Sequence, residues 1–151
     1  MRKKIVIALA IIVIGVSSGL GISLWFIFSG GANENLASGT ILLEGTFIEF
    51  DSTHYGRGTS RIIALPNGNR QLQFINADIA TGPDLYVYLS DKASFSGILD
   101  GPGTFIDLGA LPHNLGNFSI NIPGATLLNN VNSVLIWCKQ FSVAFTYATL
   151  N

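Results

Sequence analysis

The sequence predicts an all-β protein: a single antiparallel β-sandwich or β-barrel domain preceded by one N-terminal transmembrane helix. Three observations indicate this fold class. Short stretches of alternating apolar and polar residues recur along the chain, turn residues separate them, and one long uncharged segment precedes them all. The predicted organisation is a transmembrane anchor over residues 1–29, a linker over residues 30–39 and a β domain over residues 40–151.

The N-terminal segment is long enough to cross a membrane. Residues 5–28 carry no charge, and as a helix they would extend about 36 Å, against roughly 30 Å for the hydrocarbon core of a bilayer. Arg2, Lys3 and Lys4 precede the segment, so the positive-inside rule places the N-terminus in the cytoplasm and the β domain outside. We expect a single-pass cell-membrane protein with an uncleaved signal anchor. A cleaved signal peptide, cut near residues 37–39, is the alternative.

The remainder of the chain contains seven or eight predicted strands and no amphipathic helix. The strands cover residues 40–50, 59–65, 70–75, 85–89, 105–108 and 117–122, and two more lie within residues 134–150. A Pro-Asn-Gly-Asn turn at residues 66–69 predicts a hairpin. In the strand that follows it, alternation places Leu72 and Phe74 inside and Gln73 outside. Residues 134–150 are apolar on both faces, which favours a central position with a bend at residues 139–140.

Composition argues against some functions and constrains the compartment. The region after residue 29 has five basic and nine acidic residues and no basic stripe, so nucleic-acid binding is not expected. Cys138 is the chain's one cysteine, so the domain must be held together by core packing without an internal disulfide. The sequence has no G-x-S-x-G motif and no convergent acid–base set. No catalytic residue is therefore assigned, and an enzyme is the less favoured class.

Cys138 is the leading candidate for a functional residue, and it has two interpretations. A lone cysteine in an apolar strand is typical of a buried core residue with an inert thiol. An unpaired cysteine outside the cell is also an oxidation liability unless it is shielded or used. The residue pattern alone leaves both interpretations open.

Two histidines are secondary candidates. His54 lies in a glycine-rich loop and His113 in another loop, and a solvent-facing turn histidine is the ordinary alternative for both. Together with Cys138 they would supply the ligand set of a blue-copper centre. The sequence lacks the paired ligands at close spacing that metal sites use, so no metal is expected. If a haem were bound, Cys138 or His54 would be the candidate axial ligand.

Four stretches of the sequence, in this order, resemble the DM-thirteen domain, a small extracellular β domain. They are GTFIEFDSTHYGRGTSRIIALPNG, GPDLYVYLS, DLGALPHNLGNFSINIP and VLIWCKQFSVAFTYATL. The resemblance covers residues 38–151, and the characteristic cysteine of the family falls on Cys138. Two family motifs, a His-x-Gly-x-Gly-like loop and a Gly-Pro-Asp turn, match His54, Gly56 and Gly58 and then Gly82, Pro83 and Asp84. For these residues the resemblance implies roles in loop geometry.

The resemblance also implies a redox or electron-transfer function, with Cys138 as a bare thiol or as the ligand of a group such as haem. We therefore expect a membrane-tethered, extracytoplasmic redox module that exchanges electrons with a redox protein of the cell envelope. This hypothesis requires that electrons or a prosthetic group can reach the sulfur. The alternative is a non-catalytic extracellular interaction or adhesion β-sandwich, in which Cys138 serves only as a core residue.

Overall fold

The computed structural model describes residues 31–151, which contain nine β-strands. In chain order they are β1 (Gly31–Asn33), β2 (Thr40–Glu49), β3 (Gly56–Ala64), β4 (Arg70–Ile79), β5 (Leu85–Ser90), β6 (Phe105–Ala110), β7 (Leu115–Ile122), β8 (Ser133–Cys138) and β9 (Val143–Thr149). None of the described residues forms a helix that is long and apolar enough to span a membrane. The anchor predicted over residues 1–29 lies outside the described residues.

All nine strands belong to one sheet, in the order β1-β7-β4-β3-β2-β9-β8-β5-β6. Every pairing is antiparallel except that between β1 and β7, which is parallel. The sheet is strongly curled into a half-barrel. The all-β prediction is therefore confirmed for residues 31–151, and the sheet is a half-barrel that is open between its edge strands β1 and β6.

Bulges bend several strand pairs, and one of them requires a glycine. Between β3 and β4 the register shifts at Arg57/Thr59: Gly58, with a φ of +93°, lies opposite both Asn76 and Ala77, so the extra residue is on β4. A Cβ atom added to Gly58 would lie 2.4 Å from the carbonyl oxygen of Asn76 on the facing strand. Because an extra residue in one strand makes that strand bend, this bulge contributes to the curl. Gly56 and Gly58 both belong to β3, where the sequence predicted a loop.

The concave face of the sheet holds the main hydrophobic core. Phe74 of β4 stacks against Phe47 of β2 and Phe118 of β7, at ring-centroid distances of 5.8 and 4.4 Å. Leu72 and Phe74 are fully buried, as the alternation predicted. Stacked aromatic pairs add to the free energy gained from apolar burial, so these rings join strands that are not all neighbours in the sheet.

Gln73 is fully buried, although the alternation predicted that it would be exposed. Its Oε1 accepts a hydrogen bond of 2.9 Å from Nε of Arg61, and its Nε2 donates one of 2.9 Å to the carbonyl oxygen of Ala37. Both ends of the amide are therefore satisfied, which removes most of the cost of burying it. The residue that covers it belongs to the predicted linker, which lies against the sheet.

Strands β8 and β9 are central and covered on both faces, as predicted. On the concave side, β8 contributes Ile136 and Cys138 to the main core. On the convex side, the long connection between β5 and β6 covers them: Phe95 packs against Tyr147 at a ring-centroid distance of 5.0 Å. The predicted bend is the turn at residues 139–142 that joins the two strands.

Candidate functional site

Four loops lie together at one end of the sheet, because each follows a strand that runs in the same direction. They connect β2 to β3, β4 to β5, β6 to β7 and β8 to β9, over residues 50–55, 80–84, 111–114 and 139–142. We call this part of the molecule the loop end. The site residues predicted from the sequence lie in these loops or in the adjoining first or last residues of strands: His54, Gly56, Gly58, Gly82, Pro83, Asp84, His113 and Cys138.

Backbone hydrogen bonds fasten three of the four loops to one another. The amide of Ala80 donates to the carbonyl of Tyr55 at 2.9 Å, which joins the first and second loops. The amide of Lys139 donates to the carbonyl of Asp84 at 3.0 Å, which joins the second loop to the fourth. These motifs are far apart in the sequence, and the fold brings them together.

Cys138 is the last residue of β8, and its side chain is completely buried. It belongs to the main apolar core and lies opposite Leu85 of β5 and Val143 of β9 in the strand register. It is a free thiol. Its surroundings match the interpretation of an inert core cysteine, and a reagent reaches the sulfur only if the residues above it move.

His54 is held in place by its own loop. Its Nδ1 lies 3.0 Å from Oδ2 of Asp51 and 3.0 Å from Oγ1 of Thr53, and the ring packs edge-on against Phe145 at 4.8 Å between centroids. Hydrogen bonds from the side chain and amide of Thr53, together with those from His54, hold the pKa of the Asp51 carboxyl well below its usual value. A carboxylate paired with one ring nitrogen fixes an imidazole so that Nε2 is the atom left for a ligand.

The Gly-Pro-Asp segment forms the predicted turn, with Pro83 and Asp84 at its tip. Gly82 lies directly under Phe145, because a Cβ atom added there would come within 2.8 Å of the ring. The ring that supports His54 therefore also supports this turn. Glycine is required here by close packing, since its φ is not among the positive values.

A shallow cleft of about 250 Å³ opens between the Gly-Pro-Asp turn and the loop that holds His113. Leu85 and Leu111 supply apolar wall, and Asp84 and His113 supply polar groups. His113 also packs edge-on against Phe118, at 5.6 Å between centroids. The cleft therefore has the mixed apolar and polar lining of a small-ligand pocket.

Asn114, which the sequence analysis did not single out, also lines this cleft. Its side chain is 8% exposed, and its Nδ2 donates to the carbonyl of Ile79 at 3.2 Å. Its Oδ1 is buried without a hydrogen-bond partner among the described residues. A buried unpaired oxygen is costly, and the only sequence signal for it is its position next to His113.

Lys139 was also missed as part of the loop end, because its partners are distant in the sequence. Its Nζ lies 2.8 Å from Oδ2 of Asp107 and 3.5 Å from the ring centroid of Tyr86. The hydrogen bond to Asp107 raises the pKa of Lys139, and burial raises the pKa of the nearby Tyr88. Since these contacts are on the convex side, the Lys139 cation points away from the Cys138 thiol.

The described residues do not fit a haem or a metal ion. The cleft is smaller than the range of about 300–1,000 Å³ that is usual for pockets enclosing drug-sized ligands. Neither candidate axial ligand, Cys138 or His54, is among its lining residues. Within residues 31–151, no group of three or more His, Cys, Asp or Glu side chains is placed to hold a metal ion.

The fold and the loop end define a small all-β domain with a sealed thiol and a shallow cleft at the same end. The family described as electron transfer DM13 matches residues 47–150, more than half of the chain, and the protein belongs to this family. Membership suggests an electron-transfer or redox-related function. Comparison with curated proteins and with solved structures gave no match.

Proposed function

We propose that the protein is a membrane-tethered, extracytoplasmic redox module. The Cys138 thiol gives one electron and its proton to an oxidised redox protein of the cell envelope, and the resulting sulfur radical takes both back from a reduced one. The observation that carries the redox part is the family match over residues 47–150. The charge-free segment over residues 5–28, with basic residues only before it, supports the tether and the outward orientation.

The burial of Cys138 sets a condition on this proposal. The sulfur lies beneath the loop end, opposite Leu85, and Leu85 also lines the cleft. A partial opening of the loop end would expose the thiol without unfolding the sheet, and such local openings cost less free energy than global unfolding. Between openings, burial shields the thiol from the oxidants of the extracellular compartment.

An interaction or adhesion module is the second candidate, and the complete burial of Cys138 favours it. In this case the thiol is a small core side chain, and the exposed loops would bind a partner. The two candidates differ in whether the sulfur takes part in electron exchange at all.

The first experiment measures electron exchange directly. Full-length protein in detergent micelles is titrated electrochemically with small mediators, beside the Cys138→Ala variant, which contains no thiol. We expect a reversible signal in the wild type that is lost in the variant. A signal that persists in the variant would remove Cys138 from the proposal but keep the redox function, and no signal in either protein would favour the interaction module.

The second experiment measures access to the sulfur. Alkylation of Cys138 by a small reagent is followed in the full-length protein at increasing denaturant. Under the proposal, the rate at low denaturant depends only weakly on denaturant concentration, because a local opening exposes little surface. A rate that follows global unfolding over the whole range would show that the thiol is reachable only in the unfolded chain, and the electron-transfer role of Cys138 would be abandoned.

A further inference from the structure

The direction of β1 shows where the chain enters the described domain. β1 runs parallel to β7, and its first residue, Gly31, pairs with Leu115, the first residue of β7. Leu115 directly follows the loop at residues 111–114, which is part of the loop end. The chain therefore comes into the domain at the loop end.

The next residues follow the sheet from the loop end to the opposite end. The amide of Glu34 donates to the carbonyl of Asn117 at 2.9 Å, and its Oε2 accepts a hydrogen bond of 3.0 Å from the amide of Ser119. Further along, β2 begins where Thr40 pairs with Ala64, the last residue of β3. Thr40 thus lies beside the hairpin turn at residues 65–69, at the end remote from the cleft.

We propose that the loop end faces the lipid bilayer. This inference rests on the proposed membrane tether, because it takes the uncharged segment that ends at Phe28 as the anchor. Three peptide steps separate Phe28 from Gly31 and span at most roughly 11 Å. The entry point of the domain is therefore held close to the membrane surface, and the opposite end, about 33 Å away along the ten-residue strand β4, points outward.

The chemistry of the loop end is compatible with a lipid surface. Its four loops carry Asp51, Asp84 and Lys139 as formally charged residues, so no strong net charge opposes contact. At the tip of the β8–β9 turn, Phe141 is 62% exposed, and an aromatic side chain is well suited to the membrane interface. Large apolar side chains are also exposed elsewhere on the domain. The inference therefore rests on the direction in which the chain enters the domain, and the exposure of Phe141 is consistent with it.

The consequence concerns the partner of the proposed redox reaction. His54, the cleft and the residues above Cys138 all lie at the end that faces the bilayer. A partner must then approach along the plane of the membrane, which fits a membrane-bound electron carrier better than a freely diffusing soluble protein. This assigns a kind of partner that the family match does not specify.

The test places a fluorescent label at each end of the full-length protein in phosphatidylcholine vesicles that contain lipids with quencher-labelled headgroups. In a Cys138→Ala background, one variant carries Phe141→Cys at the loop end, and the matched variant carries Asn67→Cys in the β3–β4 turn at the opposite end. We expect quenching of the Phe141→Cys label to exceed that of the Asn67→Cys label several-fold, because headgroup quenching is short-ranged. Equal quenching, or stronger quenching at position 67, would overturn the inference.

A second pair of labelled variants controls for a folding defect in either member of the first pair. Thr81→Cys lies in the loop end, and Ala125→Cys lies beyond β7 at the opposite end; both positions are exposed. Alkaline extraction of the vesicles separates this inference from the tether on which it rests. Protein that is extracted would overturn the tether and the orientation together, whereas protein that stays with the lipid but shows reversed quenching would overturn the orientation alone.

Discussion

Cys138 is a fully buried free thiol at the end of β8. The sequence identified the residue and left two interpretations open, and burial in the main core now describes its environment. Burial could be foreseen, because the flanking residues are apolar on both faces. The direction of Lys139 could be foreseen as well, because adjacent residues of a strand point to opposite faces. Its specific partners, Tyr86 and Asp107, could not, since they lie on other strands.

The environment of Cys138 predicts an order of stability for its variants. Cys138→Ser buries a hydroxyl in apolar surroundings and should cost about 1–3 kcal/mol of unfolding free energy. Cys138→Ala leaves a small void but no polar group, and we expect a smaller loss, about 1 kcal/mol. Denaturant unfolding of the full-length variants measures both. A serine variant as stable as the wild type would show that the thiol is not sealed.

Gly58 provides a second prediction at this scale, with Gly68 as its matched control. Both glycines have a positive φ, +93° and +85°, but only at Gly58 does an added Cβ meet other atoms within 4 Å. Gly68→Ala should cost about 1 kcal/mol from its backbone conformation alone. Gly58→Ala should cost at least about 1 kcal/mol more, because the backbone must also move away from Asn76. Equal losses in thermal or denaturant unfolding would contradict the assigned bulge.

Among the elements, the loop between β2 and β3 is organised by a carboxylate. Asp51 Oδ1 accepts hydrogen bonds from the amides of Thr53 and His54, each at 2.7 Å, and one of 2.8 Å from the hydroxyl of Thr53. The sequence showed a polar, glycine-rich loop here but could not show which polar atoms pair. Such pairing depends on backbone angles that no residue pattern fixes.

This pairing predicts a pH dependence. The folded state lowers the pKa of Asp51, so its contribution to stability is fully present above the ordinary pKa near 3.8 and is lost as the pH falls below that value. The stability difference between the wild type and Asp51→Asn should therefore be constant at neutral pH and shrink in acid. Thr53→Val is the matched variant: it removes the hydroxyl bond, and the carboxyl should titrate closer to its ordinary range when followed by NMR. A carboxyl that titrates near 3.8 in the wild type would contradict the described pairing.

The segment before β2 is where the sequence predicted an element least well. Small polar residues indicated a linker, yet residues 31–33 form β1 and Ala37 accepts a hydrogen bond from buried Gln73. A three-residue strand has too few residues to show periodicity. The wrong prediction that Gln73 is exposed has the same origin. Alternation assigns the outer face of a strand to solvent unless a segment that packs over that face is known.

At the scale of the whole molecule, the class of fold could be predicted, but the strand order and the curl of the sheet could not. Alternation and turn residues are local, and they located the strands β2 to β9 to within a few residues. Strand order and curl depend on pairings between distant segments, such as β2 with β9 and β4 with β7. The gathering of His54, the Gly-Pro-Asp turn and Cys138 at one end follows from that order.

The two edge strands of the curled sheet differ in length: β1 has three residues and β6 has six. An unpaired edge strand can pair with an edge strand of a neighbouring molecule. If β1 of each molecule paired with β6 of the next, the molecules would form an open polymer. Here such a junction could match only about three residue pairs, and β6 carries Asp107 in its middle. Molecules crowded side by side on a surface should therefore not polymerise through their sheet edges, so their density can rise without fibre formation.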